Sequence, residues 1–96
     1  MIRVVTLSFK EEHINDFKQF FESRKMRIRN SEGCLHLELW QDTSSPEIFY
    51  TYSIWKEERY LEQYRTSDLF LDTWSIVRKW FIEKPVAFSA TKQITV

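Results

Sequence analysis

The chain carries one cysteine, and that scarcity narrows the possibilities at once. Cys34 has no partner for an internal disulfide. With no secretory signal read at the N-terminus, the expected home is a reducing cytoplasm. Paired cysteines at zinc-binding spacing are absent, and two distant histidines, His13 and His36, do not make a metal site. A lone cysteine in a strand reads as a small core residue rather than a nucleophile. Net charge is missing too: 14 Lys and Arg balance 14 Asp and Glu. That argues against a partner such as duplex DNA or an anionic membrane, either of which calls for a basic stripe. The one basic run, Arg24, Lys25, Arg27 and Arg29, reads as a solvated helix end where cations suit the dipole, ahead of a phosphate site. No apolar run approaches the ~20 residues that span a bilayer. No repeat or low-complexity segment interrupts the chain.

Aromatic side chains are what the sequence has in quantity: eight Phe, four Tyr and four Trp in 96 residues. That length makes one domain, residues 1–96, able to bury roughly 60–70% of the surface its unfolded form exposes. So many rings can fill a core and still line a pocket or an interface.

Periodicity orders the elements. MIRVVTLSF predicts a strand from Ile2 to Phe9. Ser8 with Glu11 fits a capping box for a helix carrying Ile14, Phe17, Phe20, Phe21 and Ile28 at three- and four-residue steps. That helix should end at Asn30-Ser31-Glu32-Gly33, where Gly33 frees the backbone to turn. GCLHLELW then alternates. Leu35, Leu37 and Leu39 make one row; Cys34, His36, Glu38 and Trp40 make the other. Asp42 to Pro46 is a polar turn into a third strand, Ile48 to Trp55. Lys56 to Arg65 reads as helix. Thr66-Ser67-Asp68 can cap a further helix from Leu69 to about Ile82, with Leu69, Phe70, Trp74, Val77 and Phe81 on one stripe. The tail, Val86 to Val96, alternates like a last strand. The order β-α-β-β-α-β with a broken second helix is the ferredoxin-like α+β arrangement, an antiparallel sheet with its helices on one face.

Helices cover one face only. The leucine row with Val5, Leu7 and Phe9 is the candidate for it, leaving Cys34, His36, Trp40, Ile2 and Val4 on the other. The assignment can be swapped, since both faces are apolar. A bare patch of that size on a soluble monomer is unusual, and a second copy packed sheet to sheet is the economical cover. The expected partner is therefore the same chain, as a homodimer through the sheet face.

GCLHLELWQD, the Pro46 turn, FYTYSIWKEE and LEQYRTSDLF together resemble the antibiotic biosynthesis monooxygenase (ABM) family, over nearly the whole chain. The resemblance implies a dimeric α+β barrel with a pocket in each subunit between helices and sheet. Some members oxygenate polycyclic phenols without metal or flavin; others degrade haem, isomerise small metabolites or have no known substrate. This chain departs from the family pattern at several points. The strand-two Tyr is Leu37, a Glu two before the strand-three Trp is Ser53, and the His of Ser-x-His-Phe is Leu69. The haem-degrading branch has Trp and His where Tyr64 and Trp74 stand, and its strand-one Asn falls near Val4. Haem iron needs an axial ligand, and the expected one is missing, which argues against haem degradation.

The resemblance thus implies a monooxygenase acting on a small aromatic or quinone-type metabolite with no cofactor. Such chemistry needs flat walls, exclusion of water and one base. The walls on offer are Tyr52, Trp55, Tyr64, Phe70, Trp74 and Trp80. The catalytic pair expected is His36, whose side-chain type moves protons near neutral pH, and Tyr52, which matches the family's strand-three Tyr and could orient a substrate hydroxyl. Trp55, Tyr64, Phe70 and Trp74 are the expected substrate-binding residues. Each has a plainer role: His36 as an interface residue bonded to Glu38, the aromatics as core. The rival reading is a dimer of the same fold that binds a small ligand without converting it. A third is a pocket filled by its own side chains.

Overall fold

Gly33 is the only residue with a positive φ, +79°, and it stands where the first long helix hands over to a strand. The computed structural model describes residues 1–96. β1 (Ile2–Ser8) leads through a 3-10 turn into α1 (Ile14–Arg29). β2 (Cys34–Gln41) and β3 (Ile48–Trp55) follow, then α2 (Glu58–Arg65), α3 (Asp68–Val77) and β4 (Val86–Ala90). The sheet order is β2-β3-β1-β4, and every neighbouring pair is antiparallel. This is the ferredoxin-like α+β fold, with the second helix of that pattern broken into two.

Three ends differ from the sequence expectation, each because strand pairing outcompetes local signals. Ser8 pairs with Ile48 as the last residue of β1, so it cannot act as a helix cap, and α1 begins at Ile14 with no side-chain cap. The helix expected to reach Ile82 stops as α-helix at Val77 and continues as a 3-10 turn over Arg78–Trp80. Beyond it, Phe81 bridges to Phe9 and the Ile82 N–H donates to the Ser8 carbonyl at 2.9 Å. The expected strand to Val96 ends at Ala90, which already pairs with Ile2 at the end of β1. Residues 91–96 therefore have no strand beside them. The cap expected at α3 is present: the Phe70 N–H donates to Ser67 Oγ at 3.2 Å.

Alternation along β3 decides the two faces. Phe49, Ser53 and Trp55 are buried on the helix side, with Leu7 of β1 beside Phe49. Phe9, Phe17 of α1, Phe49 and Val77 of α3 complete the main core with Leu7. Phe9 stacks on Phe17 at 4.2 Å and meets Phe81 at 5.2 Å, an aromatic cluster that seals the sheet end near the 3-10 turn. Cys34, Trp55 and Leu61 of α2 form a second, smaller core.

A β-bulge between Cys34 and His36 corrects the expected rows of β2. Cys34 pairs with Trp55 on the helix side, whereas His36 pairs with Ile54 on the far side. The extra residue, Leu35, is 52% exposed. Leu37 and Leu39 keep the helix side, opposite Ser53 and Thr51. The bulge carries Cys34 into the core, where burial pushes its thiol pKa up. A buried, protonated thiol suits the structural role expected of it. Arg29 donates to the Cys34 carbonyl at 2.7 Å and so closes the corner after Gly33.

Candidate functional site

The helix side of the sheet is not filled. Between it and the three helices lies a half-open cavity of about 690 Å³. Val5, Leu7, Leu37, Thr51 and Ser53 form its floor. Its wall is a run of rings in contact, supplied by β3, α2 and α3. Trp55, at the end of β3, stacks on Tyr64 of α2 at 5.3 Å; Tyr64 meets Phe70 edge-on at 5.2 Å and 82°. Phe70 meets Trp74 one turn along α3 at 5.5 Å, and Trp74 meets Phe81 at 5.5 Å. The break between α2 and α3, fixed by the Ser67 cap, turns Tyr64 and Phe70 onto the same space. The four residues expected to bind substrate thus line one cavity. Trp80 does not join them; it stacks on His13 at 6.0 Å and lies edge-on to Phe20.

Polar atoms in the cavity are few. Ser53 Oγ accepts from Trp55 Nε1 at 3.0 Å, which fixes the indole, and Thr73 Oγ1 accepts from Arg24 at 3.0 Å. Arg24 is itself paired with Asp72 at 2.8 Å. The Tyr64 hydroxyl enters no hydrogen bond within the chain, and burial pushes its pKa up to about 12, with Cys34 adding to the shift. At neutral pH it is a hydrogen-bond donor and not a base. Neither a histidine nor a carboxylate lines the cavity, whereas Arg3, Arg65, Arg78 and Lys84 do.

His36 and Tyr52 stand elsewhere. Both are on the uncovered side of the sheet, so one subunit does not bring them together with Trp55, Tyr64, Phe70 and Trp74. His36 does form a cluster there. Its Nε2 bonds Glu38 Oε2, while Trp40 Nε1 donates to Glu38 Oε1 at 2.7 Å. These bonds, Trp40's first, hold the Glu38 carboxyl below its usual range. Tyr52 lies stacked under Trp40 at 4.9 Å and edge-on to His36 at 6.0 Å. Beside them Ile2, Val4, Ile54 and Phe88 form an apolar patch in register across three strands. Trp40 is 41% and Phe88 55% exposed. His36 also touches an open groove of about 830 Å³ along α1 and β2, where Lys18, Glu22, Lys25 and Arg29 alternate with apolar side chains. A ligand there would keep much of its surface in water.

The cations of the cavity were the part that periodicity did not flag. One signal was present: Arg3 has the same strand parity as Val5 and Leu7, a charge on a core-facing row. Arg65 and Arg78 are not singled out by the sequence; the structure places Arg65 in the last turn of α2 and Arg78 at the start of the 3-10 turn after α3. No group of three or more His, Cys, Asp or Glu is placed to hold a metal ion, and no helix is long and apolar enough to cross a membrane.

Comparison with known proteins agrees with this architecture. The family model described as antibiotic biosynthesis monooxygenase matches residues 1–74. A conserved protein from Methanosarcina mazei Go1 superposes with a TM-score of 0.84 at 26% identity, over 91% of this chain and 87% of that one. A protein from Deinococcus radiodurans, provisionally named an antibiotic biosynthesis monooxygenase, gives 0.85 at 21% identity over 99% and 96%. One from Bordetella bronchiseptica with the same provisional name gives 0.87 at 16% over 97% and 96%. The last two likenesses speak to fold alone. No curated protein matches the chain in sequence.

Proposed function

The chain belongs to the antibiotic biosynthesis monooxygenase family, and we propose that residues 1–96 act as one such domain, oxygenating a small hydroxylated aromatic or quinone-type metabolite in the helix-side cavity. The observation that carries this reading is the ring-lined cavity itself: Trp55, Tyr64, Phe70 and Trp74 in mutual contact around about 690 Å³. A flat substrate can lie against those rings and be shielded from water on the sheet side by Val5, Leu7 and Leu37. The reaction balances without a resident cofactor. A hydroxyarene and O₂ give a quinone and water; the ring anion supplies the electrons, one oxygen enters the ring and the other leaves as water. Tyr64, as a donor, would hold a substrate oxygen; Ser53 and Trp55 would set the ring plane.

His36 and Tyr52 are reassigned in this proposal. Their place on the uncovered sheet side suits a contact with a second copy of the chain, and we take the homodimer as the working assembly, in the cytoplasm. The test of the activity is O₂ uptake by the purified protein with a panel of hydroxynaphthalenes, without added metal or flavin. We expect one O₂ consumed per quinone formed, uptake lost in Trp74→Ala, and uptake kept in His36→Ala. Loss in His36→Ala with the dimer intact would return the base to His36.

One observation favours a second reading, a binding module: no histidine or carboxylate lines the cavity, so no protein base stands ready there. Under that reading the same panel binds and is recovered unchanged after aerobic incubation. The cavity left open between sheet and helices does not favour the third reading, a pocket filled by its own side chains.

A further inference from the structure

We propose that the helix-side cavity selects aromatic ligands in their anionic form, seating a phenolate or carboxylate oxygen among Arg3, Arg65, Arg78 and Lys84 with the ring against Tyr64 and Trp74. This rests on the cavity being the ligand site, and it names the ligand's charge. Four cations line one apolar space that no carboxylate lines. Their compensation is thin. Arg65 pairs with Glu62 at 3.0 Å, and Arg3 has only the Ser89 hydroxyl at 3.1 Å. Arg78 and Lys84 have no side-chain partner in the chain. Arg3 is held below its usual pKa by burial and then by Arg65, with Glu62 opposing, so Arg3 and Arg65 feel one another. Other charged groups near the cavity are spent: Asp72 on α3 is paired with Arg24 of α1. Arg3 is half-buried while Arg65, Arg78 and Lys84 reach solvent at the cavity mouth, and the repulsion between Arg3 and Arg65 is a cost that an anion removes.

The same arrangement answers the missing base. Where a bound phenol's oxygen reaches Arg3, Arg78 and Lys84, their charge lowers its pKa against the burial that raises Tyr64's, so its proton leaves to water and no side chain needs to accept it. Tyr64, shifted upward by burial and Cys34 and by none of these cations, lies against the ring and not at that oxygen. Thus the cavity would prepare the electron-rich anion that reacts with O₂ by electrostatics alone.

4-Nitrophenol and its methyl ether 4-nitroanisole are the probes, since one ionises and the other cannot. Spectrophotometric titration should show the bound nitrophenol's pKa lowered by roughly one unit, a tenfold preference for phenolate. 4-Nitroanisole should bind at least about tenfold more weakly than nitrophenolate. Arg78→Gln and Lys84→Gln, both outside the buried core, should each weaken nitrophenolate by about three- to tenfold and leave 4-nitroanisole unchanged. Lys56→Gln, away from the cavity, should alter neither. A raised pKa, equal binding of the two probes, or insensitivity to both cavity substitutions would overturn the proposal while leaving an aromatic site. Absence of binding by either probe would overturn it and the cavity assignment together. Turnover plays no part in the titration, so failure of the oxygenase reading is seen separately, by O₂ uptake.

Discussion

The two sides of the sheet are built from the same four strands and are both rich in apolar groups, yet their polar groups are of opposite kinds. The helix side holds cations and neutral hydroxyls around a cavity: Arg3, Thr51 and Ser53 on the strands, Arg65 and Arg78 from the helices. The uncovered side holds Glu38, already bonded to both His36 and Trp40, and at its margin Asp42, already bonded to Tyr50 at 2.7 Å and to the Ser44 and Ser45 amides. Polar groups satisfied among themselves are cheaper to cover than unpaired ones, whereas cations with little carboxylate beside them favour a negatively charged guest. The sheet thus separates two tasks. One side suits a ligand that comes and goes; the other suits a lasting neighbour.

The sharpest way to test that division is to remove a tryptophan from each side. Trp55 is 2% exposed and joins α2 to the sheet. Trp55→Ala should cost about 3–5 kcal/mol in urea unfolding, from lost transfer energy and the void left beside Tyr64. Nearly as large an effect is expected at Gly33, which sets the corner from which β2 and its bulge start. An alanine there is forced into the left-handed region, and its Cβ would run into the Tyr60 side chain. Gly33→Ala should destabilise by roughly 2–4 kcal/mol. A loss under about 1 kcal/mol would mean that α2 shifts easily, and that the cavity wall is less fixed than its ring contacts imply.

Trp40→Ala is the counterpart on the uncovered side. Trp40 rests on Tyr52 rather than in a core, so its loss should cost the isolated subunit under about 1 kcal/mol. If a second copy covers this face, the same change should weaken dimerisation at least about tenfold, read by sedimentation across a dilution series. An unchanged dimer would move the contact elsewhere; a monomeric parent protein would leave the face without its proposed neighbour.

Much of this division was legible in the residues. Alternation of Val5 and Leu7 against Ile2 and Val4, the Ser67 cap and the Gly33 corner all follow from local chemistry, and of the six rings expected as walls Trp55, Tyr64, Phe70 and Trp74 line the cavity while Tyr52 and Trp80 lie elsewhere. Two things were not. The bulge at Leu35 shifts Cys34 to the helix side, and nothing in GCLHLELW distinguishes that slip from unbroken alternation, because leucine and cysteine suit either row. His36 and Tyr52 drew attention for their chemistry, but strand parity set them across the sheet from the rings. The cavity cations went unread because the local sequence around Arg65, Arg78 or Lys84 is the same whether the side chain faces water or a ligand, and the parity of Arg3 was the one signal passed over.

Effects of pH should fall at opposite ends of the scale for the two sides. Tyr64 on the cavity side has its pKa raised from 10 to about 12, so the folded state favours the neutral phenol more than the unfolded chain does. Its contribution is whole below about pH 10 and is lost as pH rises from there towards 12. Glu38 on the uncovered side is shifted the other way, below its ordinary 4.5, by the Trp40 and His36 bonds. Its contribution is whole above that ordinary value and disappears as pH falls through the lowered one. Tyr64→Phe should therefore flatten the alkaline limb of a stability profile and leave the acid limb alone, whereas Glu38→Gln should flatten only the acid limb. Because Glu38 is solvent-exposed, its share in the isolated subunit should be slight, and it should grow where a second copy covers it and water no longer screens the bonds. An acid limb that steepens with protein concentration, and loses that dependence in Glu38→Gln, would tie this cluster to the subunit contact; a limb indifferent to concentration would make it an ornament of a free surface.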